Sequence, residues 1–292
     1  MTGDPFAAHR SLLFTVAYEM LGSAADAEDV VQDTWLRWAG LDPAARADVR
    51  DPRAYLVRVV TRQALNRLRT LARRREEYVG EWLPEPLLTG PDVAEDAELA
   101  ESVSFAMLTV LETLGPTERA VFVLREVFDT PYDEIAAAVG KTPGAVRQIA
   151  HRARGYVAAR RPRTRVSPAE QGIVVERFLA AVREGDLQGL LDVLAPDVVV
   201  VPDGGGVVAA ARRPIVGAGR VAALLAGLAG LAGGLDVLPV SLNGGPAARL
   251  DLGGELNTVL SLVVDGGRIA RIFAVRNPHK LTRLHEVAAL SR

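Results

Sequence analysis

The sequence predicts a multidomain fold, in which two all-α domains are followed by a C-terminal α+β domain. Residues 6–75 and 101–165 repeat apolar side chains at the spacing of one helix face. An acidic segment with three prolines separates these two stretches, and strand-like runs occur only after Arg165. The chain has 292 residues, of which 49% are hydrophobic and 24% are charged, which excludes disordered and collagen-like proteins.

Three helices are expected in the first domain, which we place at residues 1–78. The first helix ends at Gly22, the second starts with a capping-box-like Ser23, and the third begins after Pro52. The third helix has one apolar face, and polar residues lie on its opposite face. These polar residues, which we call the basic stripe, are Arg58, Arg62, Asn66 and Arg69.

The second helix carries a polar cluster, Asp29, Gln32 and Asp33, which we call the acidic patch. Spacings of three and four residues place these side chains together, next to the two tryptophans Trp35 and Trp38. A docking surface for a partner is one interpretation. The neighbouring Asp26 and Glu28 could instead merely complement the positive N-terminus of the helix.

Residues 79–100 are expected to form an interdomain linker, because Pro84, Pro86 and Pro91 exclude a continuous helix. The segment is strongly acidic, with nine Asp or Glu and no Lys or Arg from Glu76 to Glu101. From Lys141 to Arg165 there are instead eight Lys or Arg and no acid, although the net charge of the chain is only -2. Charge sorted in this way indicates a polyanionic partner, and an acidic segment that could compete with it.

The second helical domain, residues 101–163, contains a predicted helix-turn-helix. Its helices are expected at Pro131–Val139 and Thr142–Val157, with Gly140 in the turn. The buried face of the second helix would carry Val146, Ile149, Ala153 and Val157. The candidate DNA-binding residues are Lys141, Gly144, Arg147, Gln148, His151, Arg152 and Arg154. An ordinary basic helical hairpin is the alternative.

The third domain, residues 168–292, combines helices and strands. Helices are expected at Val174–Val182 and Leu187–Leu194. Strands are expected at Val198–Val201, Asp236–Leu242, Thr258–Val264 and Ile269–Val275, and Asp265–Gly267 favours a hairpin between the last two.

Neither a membrane span nor a secretory leader is expected. The longest weakly polar run, Val221–Leu235, has 15 residues and four glycines, which is too short to cross about 30 Å of hydrocarbon. The first five residues do not form the basic start of a leader, and the chain contains no cysteine. We therefore expect a cytoplasmic protein without thiol, disulfide or zinc-thiolate chemistry. No metal site and no cofactor are expected.

Several segments resemble extracytoplasmic-function (ECF) RNA polymerase sigma factors. Residues 26–38 (DAEDVVQDTWLRW) resemble the segment of that family that binds core polymerase, and residues 52–69 (PRAYLVRVVTRQALNRLR) resemble its promoter-opening segment. Residues 114–125, 134–136 and 146–154 are similar to its domain that reads the −35 element. The resemblance covers residues 1 to about 160 in the order of the family.

Three further segments resemble the subgroup of this family with a fused C-terminal SnoaL-like domain, which has an NTF2-like α+β fold. They lie at residues 78–86, 203–206 and 277–281, where His279 stands in place of the aspartate usual in the subgroup. The residues concerned are Trp82, Leu83, Pro84, Glu85, Pro86, Asp203, Gly204, Asn277, Pro278, Lys280 and Leu281.

The resemblance implies a mechanism with core RNA polymerase and promoter DNA as partners. Asp29, Gln32, Asp33 and Trp35 would dock on the polymerase. The loop from Val49 to Arg53, Tyr55 and the basic stripe would hold the opened −10 strand, and the helix-turn-helix would read the −35 duplex. The acidic linker could thread a basic polymerase channel as a nucleic-acid mimic.

The role of the third domain has several interpretations. We expect it to pack on the sigma domains or the linker and fix their placement, with inhibition and activation both open. An apolar pocket in it could bind a small molecule. Related folds include enzymes that use a pocket Asp or His, but the domain's histidines, His279 and His285, follow its last predicted strand. A helix-turn-helix regulator that acts without polymerase is a further alternative.

Overall fold

The computed structural model describes residues 4–75, 81–160, 167–230 and 234–292. Its first four helices are α1 (Pro5–Leu21), α2 (Ala24–Ala39), α3 (Pro43–Ala47) and α4 (Pro52–Arg75). Gly22 ends α1 in the left-handed region at φ +67°, and the Ser23 side chain accepts from the amide of Asp26 at the start of α2. The three predicted helices are confirmed, and α3 is additional.

The second helical group begins inside the segment predicted to be a linker. Its helices are α5 (Pro91–Glu95), α6 (Ala97–Val103), α7 (Phe105–Leu111), α8 (Pro116–Phe122), α9 (Tyr132–Val139) and α10 (Pro143–Arg160). A π-helical turn, Val123–Val127, extends α8. Among the described residues, the acidic segment is therefore non-helical over residues 81–90, which we call the linker segment, and at Asp96 between α5 and α6.

The C-terminal domain contains a six-stranded sheet. Its helices are α11 (Pro168–Glu184), α12 (Leu187–Val193), α13 (Ala218–Leu228) and α14 (Pro278–Leu281). Its strands are β1 (Leu194–Asp203), β2 (Ile215–Val216), β3 (Leu235–Leu242), β4 (Gly245–Leu252), β5 (Glu255–Asp265) and β6 (Arg268–Val275). The strand order is β2-β1-β6-β5-β4-β3, in which β1 and β6 are parallel and the other neighbours are antiparallel.

The two faces of the sheet are covered by different parts of the chain. Helices α11, α12 and α13 pack on one face, in a core that includes Phe178 and Ile272. On the other face, Leu83 of the linker segment and Phe105 of α7 are buried, and the rings of Phe105 and Phe273 lie 5.8 Å apart. The C-terminal domain is therefore packed against the helical part of the chain.

The two helical groups share one hydrophobic core. It joins residues of α1, α2 and α4 with residues of α6 to α10, and it also takes in Leu290 from the end of the C-terminal domain. None of the helices in the described ranges is both long and apolar enough to cross a bilayer.

The sequence missed β2, β4 and α13, and it placed the end of a helix at Leu194, where β1 begins. Strand β4 reads Gly-Pro-Ala-Ala-Arg-Leu-Asp-Leu, which lacks β-branched residues and begins with Gly and Pro, although residues 248–252 alternate between apolar and polar. It is a strand because β3 and β5 pair with it on both sides. The predicted hairpin between β5 and β6 is confirmed, with Gly266 and Gly267 both at positive φ.

Candidate functional site

The acidic patch lies on the exposed side of α2. Asp29, Gln32 and Asp33 are all exposed, and so is Trp35, at 43%. Asp29 Oδ2 is 3.5 Å from Arg67 on α4, yet 66% of its side chain remains accessible. Trp38, by contrast, is buried in the core, so the patch presents one indole to a partner. An exposed indole is the type of side chain that is enriched in protein interfaces.

The basic stripe on α4 is exposed as expected, but part of it is occupied. Arg62 donates to the carbonyl oxygens of Ala137 at 2.7 Å and Ala138 at 3.4 Å, in the last turn of α9. Carbonyl groups at a helix C-terminus carry partial negative charge and attract a guanidinium. A cleft lined by Tyr55 and Arg58 on one side and by Glu134 on the other runs along this contact. The end of α9 is thus attached to the stripe at Arg62.

The helix-turn-helix presents every candidate DNA-binding side chain to solvent. Gly140, at φ +70°, forms the turn between α9 and α10. On α10 the predicted buried face is confirmed. The exposed residues are Lys141, Gly144, Arg147, Gln148, His151, Arg152 and Arg154. The basic residues Arg161, Arg163 and Arg165 lie outside the described residues.

Arg154 differs from the other candidates, because it already has an anionic partner. Its Nη2 and Nε donate to the two carboxylate oxygens of Glu126, at 2.7 and 3.0 Å. These hydrogen bonds raise the pKa of Arg154 further above its ordinary value. The guanidinium is thereby aimed at the neighbouring π-helical turn.

A buried ion pair of the C-terminal domain binds the linker segment by hydrogen bonds. Lys280 Nζ lies 2.7 Å from Asp203 Oδ2, and the same oxygen accepts the amide of Leu83 at 2.9 Å. Lys280 also donates to the Leu83 carbonyl oxygen and lies 3.4 Å from the ring centre of Trp82. We call Leu83, Asp203 and Lys280 the linker lock. Asp203 and Lys280 are both buried, at 0% and 6%.

A glycine allows the backbone after Asp203 to approach Asn277 closely beside the lock. Gly205 has φ +63°, and a Cβ there would lie 2.2 Å from Asn277 Nδ2. Asn277 in turn caps the short helix α14, in which Pro278 is the first residue, by accepting from the amide of His279. His279 is exposed, so the ion pair uses Lys280 instead. Leu281, buried from the same helix, packs on the sheet face that holds Leu83.

At its other end the linker segment binds the first helical domain. Between Pro84 and Pro86, the carboxylate of Glu85 accepts from the amides of Ala24 at 2.8 Å and Ala25 at 3.2 Å, and from the Ser23 hydroxyl. Glu85 thus caps the N-terminus of α2 from 60 residues away. The sequence indicated this only by an acid placed between two prolines.

Asn243 joins all three parts of the chain, and sequence reasoning did not find it. It lies in the β3–β4 turn at φ +54°. Its Nδ2 donates to Tyr18 Oη at 2.6 Å and to the Val103 carbonyl oxygen at 2.8 Å, and its Oδ1 accepts the Leu87 amide at 2.9 Å. The Asn-Gly pair that marks this turn was the available signal.

A second missed cluster lies between the two helical groups. Arg119 is buried and donates to the Glu19 carbonyl oxygen at 2.9 Å and to Glu112 Oε1 at 2.8 Å. The Glu19 carboxyl group is fully buried and accepts from Ser102 Oγ at 2.7 Å. Desolvation raises the pKa of Glu19 to about 8.

Comparison with known proteins places this geometry in a family. Residues 6–74 match Sigma-70 region 2, and residues 104–156 match Sigma-70, region 4. The ECF RNA polymerase sigma factor SigJ of Mycobacterium tuberculosis (strain ATCC 25618 / H37Rv) is 36% identical, over 97% of this chain and 94% of its own length. The chain belongs to the ECF RNA polymerase sigma factors. Its helical regions are those of a factor that directs core polymerase to promoters.

The likeness to the family extends through the C-terminal domain. The probable ECF RNA polymerase sigma factor SigI of M. tuberculosis (strain CDC 1551 / Oshkosh) is 35% identical over 95% of this ECF sigma factor and 93% of its own length. The crystal structure of M. tuberculosis SigJ superposes with a TM-score of 0.75 and 35% identity, over 96% of this chain and 98% of that chain. The predicted fold class, two helical sigma domains and a SnoaL/NTF2-like α+β domain, is confirmed.

Proposed function

We propose that this ECF sigma factor is regulated by its own C-terminal domain, which holds the linker segment and keeps the two DNA-binding domains packed together. The observation that carries the proposal is the linker lock, in which Asp203 and Lys280 hold both backbone polar groups of Leu83. Glu85 and Asn243 attach the next residues of the linker segment to the first helical domain. The domains at 1–78, 101–163 and 168–292 are part of this proposal, and so is the connection at 79–100, in which α5 and the start of α6 follow the linker segment.

The acidic patch is proposed to be the surface that docks on core polymerase. Asp29, Gln32, Asp33 and Trp35 are exposed together on α2, and no other part of the described chain covers them. A sigma factor whose DNA-binding domains are packed together could therefore still bind polymerase through this surface. Recruitment and promoter opening would then be separate steps.

The packed arrangement is proposed to restrain binding of the opened −10 strand. The basic stripe would have to hold the opened −10 strand, yet Arg62 is bound to the C-terminal turn of α9. Binding of one strand to Arg58, Arg62, Asn66 and Arg69 together would require Arg62 to leave the carbonyl groups of α9. The −35 residues of α10 are exposed in the meantime, so the −10 contacts are the ones that are restrained.

The linker segment is proposed to have two alternative positions. In the described chain Glu85 is 4% exposed and bonded to α2, so it cannot act there as a nucleic-acid mimic. On polymerase, the same segment would leave the lock and enter a basic channel. Each position excludes the other, and this competition gives the C-terminal domain control over the linker.

A binding role for the C-terminal domain is favoured over an enzymatic one. Among the described residues that line its cavity between the sheet and α13, Arg276 is the only ionisable one. An arginine does not lose its proton at neutral pH, and general acid–base catalysis needs a group that does. His279 and His285 are exposed outside this cavity.

Promoter-directed transcription with purified core polymerase tests the proposal. The wild-type chain is compared with Asp29→Ala/Asp33→Ala, and with Asp42→Ala/Asp48→Ala as a matched control that removes two exposed acids of the same domain. We expect the first pair alone to abolish promoter-specific RNA. The double variant Asp203→Asn/Lys280→Met, which removes the ion pair and both its charges, should raise the yield of RNA. An unchanged yield would reject control by the lock, and equal activity of the two acid-deficient variants would reject docking through the patch.

A further inference from the structure

The C-terminal domain encloses an apolar cavity of about 210 Å³ between α13 and the sheet. Its inner wall is formed by buried side chains such as Leu225, Leu250 and Leu260, and Leu224, which is 44% exposed, lies at its edge. An apolar cavity of roughly 150 Å³ is enough to hold benzene. This one is therefore large enough for a ligand with a short hydrocarbon chain or a small ring system.

Three polar residues, Asn257, Thr258 and Arg276, line the cavity among fourteen apolar ones. Arg276 Nη1 donates to the Ala209 carbonyl oxygen at 2.6 Å, and its Nη2 donates to Asn257 Oδ1 at 3.3 Å. Its Nε is buried and has no hydrogen-bond partner. Within the described ranges, no carboxylate lies at ion-pair distance from this guanidinium.

We infer that this cavity binds a small apolar carboxylic acid, with its hydrocarbon part among the leucines and its carboxylate on Arg276. A partly buried guanidinium without a counter-charge is unfavourable, and a carboxylate is the group that matches its donors in charge and geometry. The hydrocarbon part gains from leaving water in proportion to the apolar area it buries. An amine or another cation would be repelled by Arg276.

The cavity adjoins the linker lock, which gives a bound acid a route to regulation. The amide of Arg276 donates to the Asp203 carbonyl oxygen at 2.8 Å, and Pro202, next to Asp203, lines the cavity. Lys280 follows Arg276 by four residues, across the helix cap formed by Asn277. This coupling rests on the proposed control by the lock. Binding of the acid itself does not depend on it.

Binding is tested on the full chain with octanoate as the probe, using titration calorimetry. We expect octanoate to bind the wild type, and Arg276→Met to weaken it by about tenfold or more, the loss of one charged hydrogen bond. Arg276→Lys should restore part of the affinity. Octan-1-ol, which has the same chain without the charge, should bind the wild type and Arg276→Met equally.

Two further variants locate the probe. Ala274→Leu adds three carbons to the cavity wall and should abolish binding of octanoate and of octan-1-ol. Arg249→Met, which removes an arginine of β4 that does not line the cavity, should leave both affinities unchanged. Octanoate that binds Ala274→Leu as well as wild type, or that fails to bind wild type, would overturn the inference.

Transcription separates this inference from the proposed function. If octanoate binds in the calorimeter but leaves the yield of RNA unchanged, the binding site is supported and its coupling to the lock is rejected. Control by the lock would still be decided by Asp203→Asn/Lys280→Met in the absence of octanoate. Calorimetry can therefore reject the binding site, and transcription without octanoate can reject control by the lock, independently of each other.

Discussion

Lys280 and Asp203 form a buried ion pair of 2.7 Å across 77 residues of sequence, and Leu83 of the linker segment lies between them and the helical domains. Each partner of the ion pair makes a further hydrogen bond. Asp203 also accepts from the Gly205 amide, and Lys280 donates to the Leu83 carbonyl oxygen. A buried charge that lost its partner would stay dehydrated without compensation. The ion pair and the bound position of the linker segment therefore depend on each other.

Lys280→Met should destabilise the chain strongly. It leaves the Asp203 carboxylate buried without a counter-charge, and breaking such a pair costs about 3–5 kcal/mol. Arg10→Met is the matched control, because it breaks an ion pair of the same length, 2.7 Å to Glu28, whose side chains are 53% and 30% exposed. That change should cost about 0–1 kcal/mol. Urea unfolding measures both free energies, and equal values would contradict a special role for the lock.

Glu85→Ala should reduce the stability of the first helical domain. It removes the carboxylate that accepts from the amides of Ala24 and Ala25, and loss of an N-terminal cap costs about 0.5–2 kcal/mol. Glu81→Ala removes an exposed acid of the same segment and serves as the control. Thermal unfolding followed by circular dichroism separates the two variants. A midpoint for Glu85→Ala as high as that of Glu81→Ala would show that the cap contributes nothing.

Stability should fall as the pH rises from about 5 to about 8. Desolvation raises the pKa of Glu19 to about 8 from an ordinary value of 4.5, so the folded chain holds a proton that the unfolded chain releases over this range. The stabilisation of the folded state by the protonated Glu19 carboxyl group is therefore complete below the ordinary pKa of 4.5. It is lost by about pH 8. The slope from one group is at most about 1.4 kcal/mol per pH unit.

Glu19→Gln isolates this effect, since the amide keeps the shape of the carboxyl group and cannot ionise. The free energy of unfolding of Glu19→Gln should depend less on pH than that of the wild type. Ser102, which donates to Glu19, and Arg119, whose charge lowers its pKa, are the polar groups that oppose the shift. Identical slopes for the two proteins would assign the pH dependence to other residues.

Glu126→Gln should strengthen binding of the polymerase complex to promoter duplex. The change releases Arg154, which now forms two hydrogen bonds with Glu126, and adds one cation for a phosphate. One more phosphate contact steepens the dependence of log K on log salt by about 0.9. In the Glu126→Gln/Arg154→Gln double variant the gain should vanish. Filter binding over a salt series checks both statements, and an unchanged slope for Glu126→Gln would rule out the release of Arg154.

Local signals in the sequence were enough for the long helices α1, α2, α4 and α10, although not for α3 or α13, and for the exposure of the candidate polymerase-binding and DNA-binding residues. Caps such as Ser23 and Gly140 and the two faces of α4 and α10 are properties of a few neighbouring residues. Strand β4 and the roles of Glu85 and Asn243 were missed, because pairing and contacts with distant residues determine them. The binding of Arg62 to α9 was missed for the same reason, since no local pattern states which domain covers a basic helix face.

The distance between the two DNA-binding domains tests the central claim most directly. The chain contains no cysteine, so the exposed residues Ala45 on α3 and Ala159 on α10 can be replaced by Cys and spin-labelled. Pulsed electron resonance should give one narrow distance distribution for this otherwise unchanged chain. In the Asp203→Asn/Lys280→Met background the distribution should broaden and extend to longer distances. The same narrow distribution in both proteins would contradict the claim that the C-terminal domain, through the linker lock, holds the sigma domains together.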